Sequence, residues 1–493
     1  MAETIPSAFI LAPLAFTLVA PWAIWFLRSN ANAREAVSIV AGAATFGAVL
    51  YMTPLIRQGA ILHFRLFELI PGISVSFAAD GLSLIFALIA PLLWVLATFY
   101  NIGYMRSLNE HAQTRYYFCF AVAIFGALGV ALSANIFTLY LFYEIITIFT
   151  YPLVAHHQDD EAYSGARKYI IYLMGTSKLF LLPAMIMTYV LAGTLDVHLG
   201  DMVQGIFPAD APRHWVVLTY VLYIAGLAKA AIMPLHNWLP SAMVAPTPVS
   251  ALLHAVAVVK AGVFCICRII LSVFGTETMQ ALNLGLPTAY LAAFTIVAAS
   301  IIALTKDDLK ARLAYSTVSQ LSYIVLGVAL LTPLAVSGGT MHIAHHAFSK
   351  ITLFFGAGAI YVATHMKQIS LMSGLGRRMP WTFGAFGIAA LSMIGVPPVA
   401  GFATKWHLVT GAMDAGQILI VVALMFSTIL NAAYFGPIIY KAFCAPAAPG
   451  VDLGQYREAP AAMVIPLCIT AAVSVILGIE PQIFQNFIAL LWS

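Results

Sequence analysis

From residue 7 to residue 490 the sequence is a succession of apolar runs about 20 residues long, separated by short polar stretches. A helix of that length matches the hydrocarbon core of a bilayer. Inside hydrocarbon every backbone polar group must find its partner within the chain, so such runs can only be satisfied as packed helices. Composition agrees: 9% of the 493 residues are charged, against about 25% in an average soluble domain. The chain therefore reads as an all-α polytopic membrane protein, a single membrane domain over residues 1–493.

Fourteen spans are expected, near 7–27, 36–56, 81–103, 115–133, 135–154, 166–192, 215–239, 247–273, 284–304, 312–333, 336–363, 381–413, 416–442 and 461–490. The first is preceded by Glu3 and no basic stretch, so it is expected to be a retained span rather than a cleaved signal peptide. Residues Arg57 to Asp80 are too polar to cross and alternate in their second half, which predicts a short extramembrane hairpin. The five cysteines lack metal-type spacing and are expected to be small buried hydrophobes.

Lysine and arginine collect in cytoplasmic loops. Fourteen of them fall in odd-numbered loops (among them Arg28, Arg106, Arg167, Lys306 and Arg377), and only Arg57, Arg65, Arg213 and Arg268 fall on the other side. Both termini are thus expected on the non-cytoplasmic face of the inner (plasma) membrane.

Five lysines remain inside apolar runs: Lys178, Lys229, Lys260, Lys350 and Lys405. They are joined by a single deep carboxylate, Glu144, in LYLFYEIITIFTYPLV. At about 2.5 kcal/mol per ionised group, their insertion would cost roughly 15 kcal/mol in total, as much as the net stability of a domain. One carboxylate cannot pair five amines. Several lysines must be solvated by internal water or exchange protons readily, whereas ion pairs that merely pin helices would account for Glu144 and one lysine. In MHIAHHAFSKITLFF, His342, His346 and Lys350 recur every four residues on one helical stripe, with His345 beside it, and His254 lies upstream of Lys260. A His, His, Lys stripe can relay protons. Paired histidines could instead ligate haem in an electron-transfer subunit, but Lys350 one turn beyond His346 counts against that.

Proline removes a backbone donor and clashes one turn back. Pro234 follows Lys229 by five residues, and Pro397 and Pro398 precede Lys405, so two spans are expected to break beside a buried lysine. Paired broken helices mark transport sites between repeats.

These stretches also carry a resemblance. FYE, GLAKAAIMPLHNWLPSAMVAPTPVSALLHAVAVVKAG, KDDLKARLAYSTVSQLSY, HIAHHAFSKITLFFGAGA and IGVPPVAGFATK resemble the antiporter-like subunits shared by respiratory complex I, membrane-bound hydrogenases and Mrp cation/proton antiporters. The resemblance covers nearly the whole chain. It implies a fourteen-helix core with two inverted five-helix repeats, residues 115–273 (spans 4–8) and 284–442 (spans 9–13), broken at spans 7 and 12. By motif it implies a charge pair of Glu144 and Lys229, a central proton carrier at Lys260, and Lys405 at the far end of the axis. It further implies that His254 is the family's histidine of the eighth span, that His342, His346 and Lys350 are connecting groups between two half-channels, and that Asp308, Lys310 and Arg312 belong to a loop motif. Lys178 matches no general position of the family and is expected to be an extra partner of Glu144 or a feature of one branch.

YLMGTSKLFLLPA and PTPVSALLHAVAVVKAG are most similar to the D-type subunit of Mrp antiporters. The expected function is that of a proton-conducting subunit in a multi-subunit monovalent cation (Na+)/proton antiporter, an ion transporter and not itself an enzyme. The alternative is a proton-pumping subunit of a complex I-like NADH-quinone oxidoreductase, similar to its subunits L, M and N, or of a membrane-bound hydrogenase. The sequence has no glycine-rich nucleotide loop, thiolate cluster or paired acids for hydrolysis, so no cofactor, metal or catalytic residue is expected. The expected partners are other membrane subunits, protons, Na+ or K+, and lipid, with no nucleic acid.

Overall fold

The computed structural model describes residues 3–490. Among these, eleven helices are long and apolar enough to cross a membrane. Three further segments complete fourteen. Span 10, Leu309–Ala329, has full length but carries buried Ser316, Thr317, Ser319, Gln320 and Ser322, which make it too polar to be recognised by hydropathy. Spans 7 and 12 are interrupted. Span 7 runs Arg213–Gly226, turns through Ala228–Ala230 and resumes at Trp238–Ser241. Span 12 is split into Pro380–Ile394 and Ala400–Asp414. The breaks stand where the prolines predicted them.

The predicted hairpin is present as β2 (Ile61–Ile70) and β3 (Ile73–Ala79), antiparallel, with Leu62 opposite Ala79 and Ile70 opposite Ile73. Pro71-Gly72 makes the turn, Gly72 at φ 80°, a value that a side chain would disfavour. A third strand that the sequence did not suggest, β1 (Thr4–Pro6), pairs in parallel with β2. Loops are stitched by parity. On one end Arg106 pairs with Glu35, Arg115 donates to the His156 carbonyl, Lys310 reaches the carbonyls of Met243 and Ala245, and Gly374 donates to Lys441 O. At the other end β3 docks on Leu132 and Ala134, and Asn135 bridges Asp196. Odd-numbered loops thus share one face, and loops 2, 4 and 6 share the opposite one.

Close helix packing relies on small residues, as expected where burial in lipid supplies no hydrophobic drive between helices. A Cβ on Gly129 of span 4 would lie 1.9 Å from the Phe142 ring of span 5, and one on Gly327 of span 10 would lie 2.7 Å from Gly339 Cα of span 11.

Three expectations need correction. The last span ends at Ile479, and Gln482–Ala489 is a separate short helix, because Pro481 cannot continue the ladder. Arg268 is not a loop residue. It is buried in span 8 and holds Asp80 by two hydrogen bonds of 2.6 and 2.9 Å. Cys119, Cys265 and Cys267 are buried as expected, but Cys444, at the end of span 13, is exposed.

Candidate functional site

Buried polar groups form an axis through the helices. Span 5 (Ile136–Val154) carries Glu144, which is 8% exposed. Its Oε2 lies 3.6 Å from the Nζ of Lys178 on span 6, and that amine also donates to Tyr140 Oη at 2.6 Å. Lys178 occupies a π-helical turn, Ser177–Leu181, which re-aims side chains within the helix. Its side chain is 48% exposed on the outer surface of the chain; Lys405 is half-buried, and Lys229, Lys260 and Lys350 are buried.

The expected direct pair of Glu144 with Lys229 is not formed. Lys229 is fully buried in the turn that breaks span 7, donates through Nζ to the carbonyl of Tyr143, and lies over the Tyr143 ring. The residue it engages is thus the neighbour of Glu144. The break exposes helix-end groups, and Trp238 Nε1 satisfies one of them by donating to Ala228 O at 2.9 Å. Gly262 on span 8 presses on this turn: a Cβ there would stand 2.3 Å from Ala230 N.

Lys260, two residues earlier on span 8, is buried and its Nζ lies 2.7 Å from His346 Nδ1 on span 11. The ring of His342 is 5.6 Å from that of His346, and His342 Nε2 lies 3.1 Å from Gln320 Oε1. Tyr323 of span 10 continues the line, its ring 5.7 Å from His342 on one side and beneath the Lys405 ammonium, at 5.5 Å, on the other. Lys405, past the span 12 break, donates to Ile394 O at 2.7 Å and Thr428 Oγ1 at 3.1 Å. It stands at the C-terminal carbonyls of the first half-helix, where a cation is favoured. Lys350 branches from this line. It donates to Ser316 Oγ at 3.0 Å and to Leu313 O at 3.3 Å, and Ser316 also accepts from Tyr434.

His254 packs on Phe354 with both ring nitrogens lacking a hydrogen-bond partner. His345 faces away from the stripe and bonds Thr404 at 2.9 Å. The structure thus brings Lys260, His346, His342 and Lys405 into one line, sets Lys350 beside it, and places Glu144, Lys178 and Lys229 as a neighbouring group. Gln320, Tyr323, Ser316 and Tyr434 were missed by sequence reading. Span 10's run of Ser, Thr and Gln was the available signal.

Residues 133–431 match the family described as NADH:quinone oxidoreductase/Mrp antiporter, transmembrane. The chain is 34% identical to NADH-quinone oxidoreductase subunit N of Desulforudis audaxviator over 84% of its own length and 85% of the relative. It is also 34% identical to a probable K(+)/H(+) antiporter A/B subunit of Rhizobium meliloti, over 82% of this chain but 39% of that longer protein. In fold it is similar to a chain of the Mrp complex from Dietzia sp., with a TM-score of 0.86 and 21% identity over 98% of this chain and 97% of that one. A chain of the membrane-bound sulfane sulfur reductase, an archaeal respiratory membrane complex, gives a TM-score of 0.88 at 24% identity with the same coverage.

Proposed function

Because the chain belongs to the NADH:quinone oxidoreductase/Mrp antiporter family of membrane subunits, we propose that it is the proton-conducting subunit of a multi-subunit monovalent cation/proton antiporter of Mrp type. The observation that carries this reading is the contact line from Lys260 through His346, His342 and Tyr323 to Lys405. Each member can bind and release a proton or lies against one that can. Lys260 falls in residues 115–273 and His346, His342, Tyr323 and Lys405 fall in 284–442, the two repeats of the proposed architecture, so the Lys260–His346 contact joins them.

In this mechanism a proton enters at Lys229, passes through internal water to Lys260, then to His346 and His342, and leaves by Lys405, with Lys350 as a side store. Lys229 alternates between the Tyr143 carbonyl and Glu144. When it approaches Glu144 the carboxylate favours its protonated form, and when it returns to the carbonyl it can release the proton toward Lys260. Lys178, 3.6 Å from Glu144, is the second cation on that carboxylate. At 4 Å and an effective dielectric near 20, such a pair interacts by about 4 kcal/mol, enough to gate the step. Driving energy comes from a cation gradient across partner subunits. The half-exposed Lys178 ammonium, in the middle of the helix Asp160–Ala192, supports a partner on that flank, since a charge facing acyl chains is costly.

A respiratory assembly is the second reading, favoured by the near full-length match to a complex I subunit N. Purification of the intact complex separates the two. Small multi-helix antiporter subunits, together with Na+- or K+-driven proton movement in vesicles, support the first reading. Iron-sulfur or nickel proteins, with proton movement driven by electron donors, support the second. The plasma membrane location and non-cytoplasmic termini belong to the same proposal; Met1 and Ser493 themselves lie outside the described residues.

A further inference from the structure

A second cluster of titratable side chains lies away from the axis, on the odd-loop face. The turn between spans 3 and 4 carries Glu110 and His111, and the turn after span 5 carries His156 and His157. Donor atoms of Glu110, His111 and His156 all lie within 4.8 Å of one another. Glu110 Oε2 is 3.5 Å from His156 Nε2 and 3.8 Å from His157 Nδ1. The His111 and His156 rings stand 4.8 Å apart.

His156 is the informative member. Its side chain is 0% exposed, yet neither ring nitrogen makes a hydrogen bond, and the 3.5 Å approach of Nε2 to the Glu110 carboxylate is the polar contact the ring has, a rare state for a buried polar group. Its ring is fixed edge-on against Tyr116 at 5.9 Å, and Arg115 is turned to its main-chain carbonyl at 3.0 Å rather than to the imidazole. The ring therefore aims an unused donor atom at a carboxylate and a second imidazole.

We propose that Glu110, His111 and His156, with His157 as a fourth donor, form a binding site for a divalent cation of the zinc class that restrains span 5. Imidazoles with one carboxylate are donors for late first-row ions rather than for Mg2+ or Ca2+. Zinc–ligand distances of about 2.0–2.2 Å place tetrahedral donors roughly 3.4 Å apart, so donors now within 4.8 Å of one another close on an ion by up to about 1.4 Å. The exposed His111 can supply that movement by rotation. A bound ion would tie the turn after span 3 to the end of span 5, twelve residues from Glu144, or about 18 Å along the helix. The helix that bears the gating carboxylate would then be held at its odd-loop end.

The test uses the full chain in its native complex, stripped of metal, with Zn2+ or Co2+ as the only probe. Zn2+ is titrated against a chromogenic chelator and Co2+ is followed by its visible absorption. The expected result is one ion per chain, a tetrahedral Co2+ spectrum, and affinity weakened by about tenfold or more in both Glu110→Gln and His111→Ala. His111 lies at the surface and its replacement leaves the fold intact. In vesicles, Zn2+ should slow wild-type proton movement and leave His111→Ala unaffected, the metal-free rates of the two being equal. Failure of the wild type to bind Zn2+ stoichiometrically, or equal binding by wild type and both variants, would overturn the site. Stoichiometric binding with no effect on wild-type transport would overturn the restraint on span 5. Binding is read without reference to transport, so the outcome for the site is independent of which proton-conducting assembly the chain serves.

Discussion

The Nζ of Lys260 on span 8 and the Nδ1 of His346 on span 11 stand 2.7 Å apart, both buried. On the proposed route these two groups, at hydrogen-bonding distance, link span 8 directly to span 11. Because a guanidinium does not give up its proton in turnover, Lys260→Arg should assemble normally yet reduce proton movement in vesicles to near background. His346→Ala should do the same. Normal transport by either variant would remove this contact from the pathway.

Glu144 contacts Lys178 and lies beside the residue that Lys229 engages, so its charge, more than its shape, is expected to matter. Glu144→Gln should nearly abolish transport in an assembled complex, while Glu144→Asp keeps part of it. Lys178→Met should assemble and show a shifted pH profile of transport. Wild-type rates in Glu144→Gln would reduce the carboxylate to an anchor.

Gly262 is required by proximity. A methyl group at this position would stand 2.3 Å from Ala230 N and 2.4 Å from Lys229 C, displacing the turn that presents Lys229. Overpacking of this kind costs about 1–3 kcal/mol. Gly262→Ala should lower the thermal midpoint of the purified complex and impair transport together; a variant with unchanged stability would show that the turn yields freely.

Asp80 caps span 3 through Ser83 N at 2.8 Å and holds Arg268 by two hydrogen bonds. Asparagine retains the cap but leaves a buried guanidinium uncompensated, which costs about 3–5 kcal/mol. Asp80→Asn should therefore be markedly less stable in thermal unfolding, and Asp80→Leu combined with Arg268→Met should recover most of the loss. An additive double variant would mean that the two charges do not depend on one another.

Cys444 lies at the odd-loop end of span 13 and is exposed, whereas Cys119, Cys265 and Cys267 are buried. If that face is cytoplasmic, as its fourteen basic residues argue, a membrane-impermeant thiol reagent should label the protein in inside-out vesicles and not in intact cells. Cys444→Ser should abolish that labelling. Labelling in intact cells would invert the topology.

Span number, the hairpin and both helix breaks were legible because each has a local cause: an apolar run of bilayer length, alternation, or a proline. Pairing was not. Whether Glu144 meets Lys178 or Lys229 depends on a π-helical turn that rotates Lys178 toward Tyr140 and Glu144, and no periodicity in the sequence announces such a turn. Arg268 was misplaced for a related reason. Its basic side chain near a span end reads as a loop residue, and only the partner Asp80, 188 positions away, explains its burial. The cluster at Glu110 and His156 escaped notice because its members come from two turns that adjoin only in the fold.

Lys229, Lys350 and Lys405 each donate to a main-chain carbonyl, of Tyr143, Leu313 and Ile394. A carbonyl has no protonation state of its own near neutral pH, and an amine that has lost its proton still carries N–H groups to donate. On the proposed route such a tether would outlast the loss of the proton. A lysine bound to a carboxylate would lose most of its attraction on discharge and drift away. The emptied amines of Lys350 and Lys405 on that route would stay in register for refilling, whereas Lys229 leaves and regains its carbonyl as it alternates with Glu144.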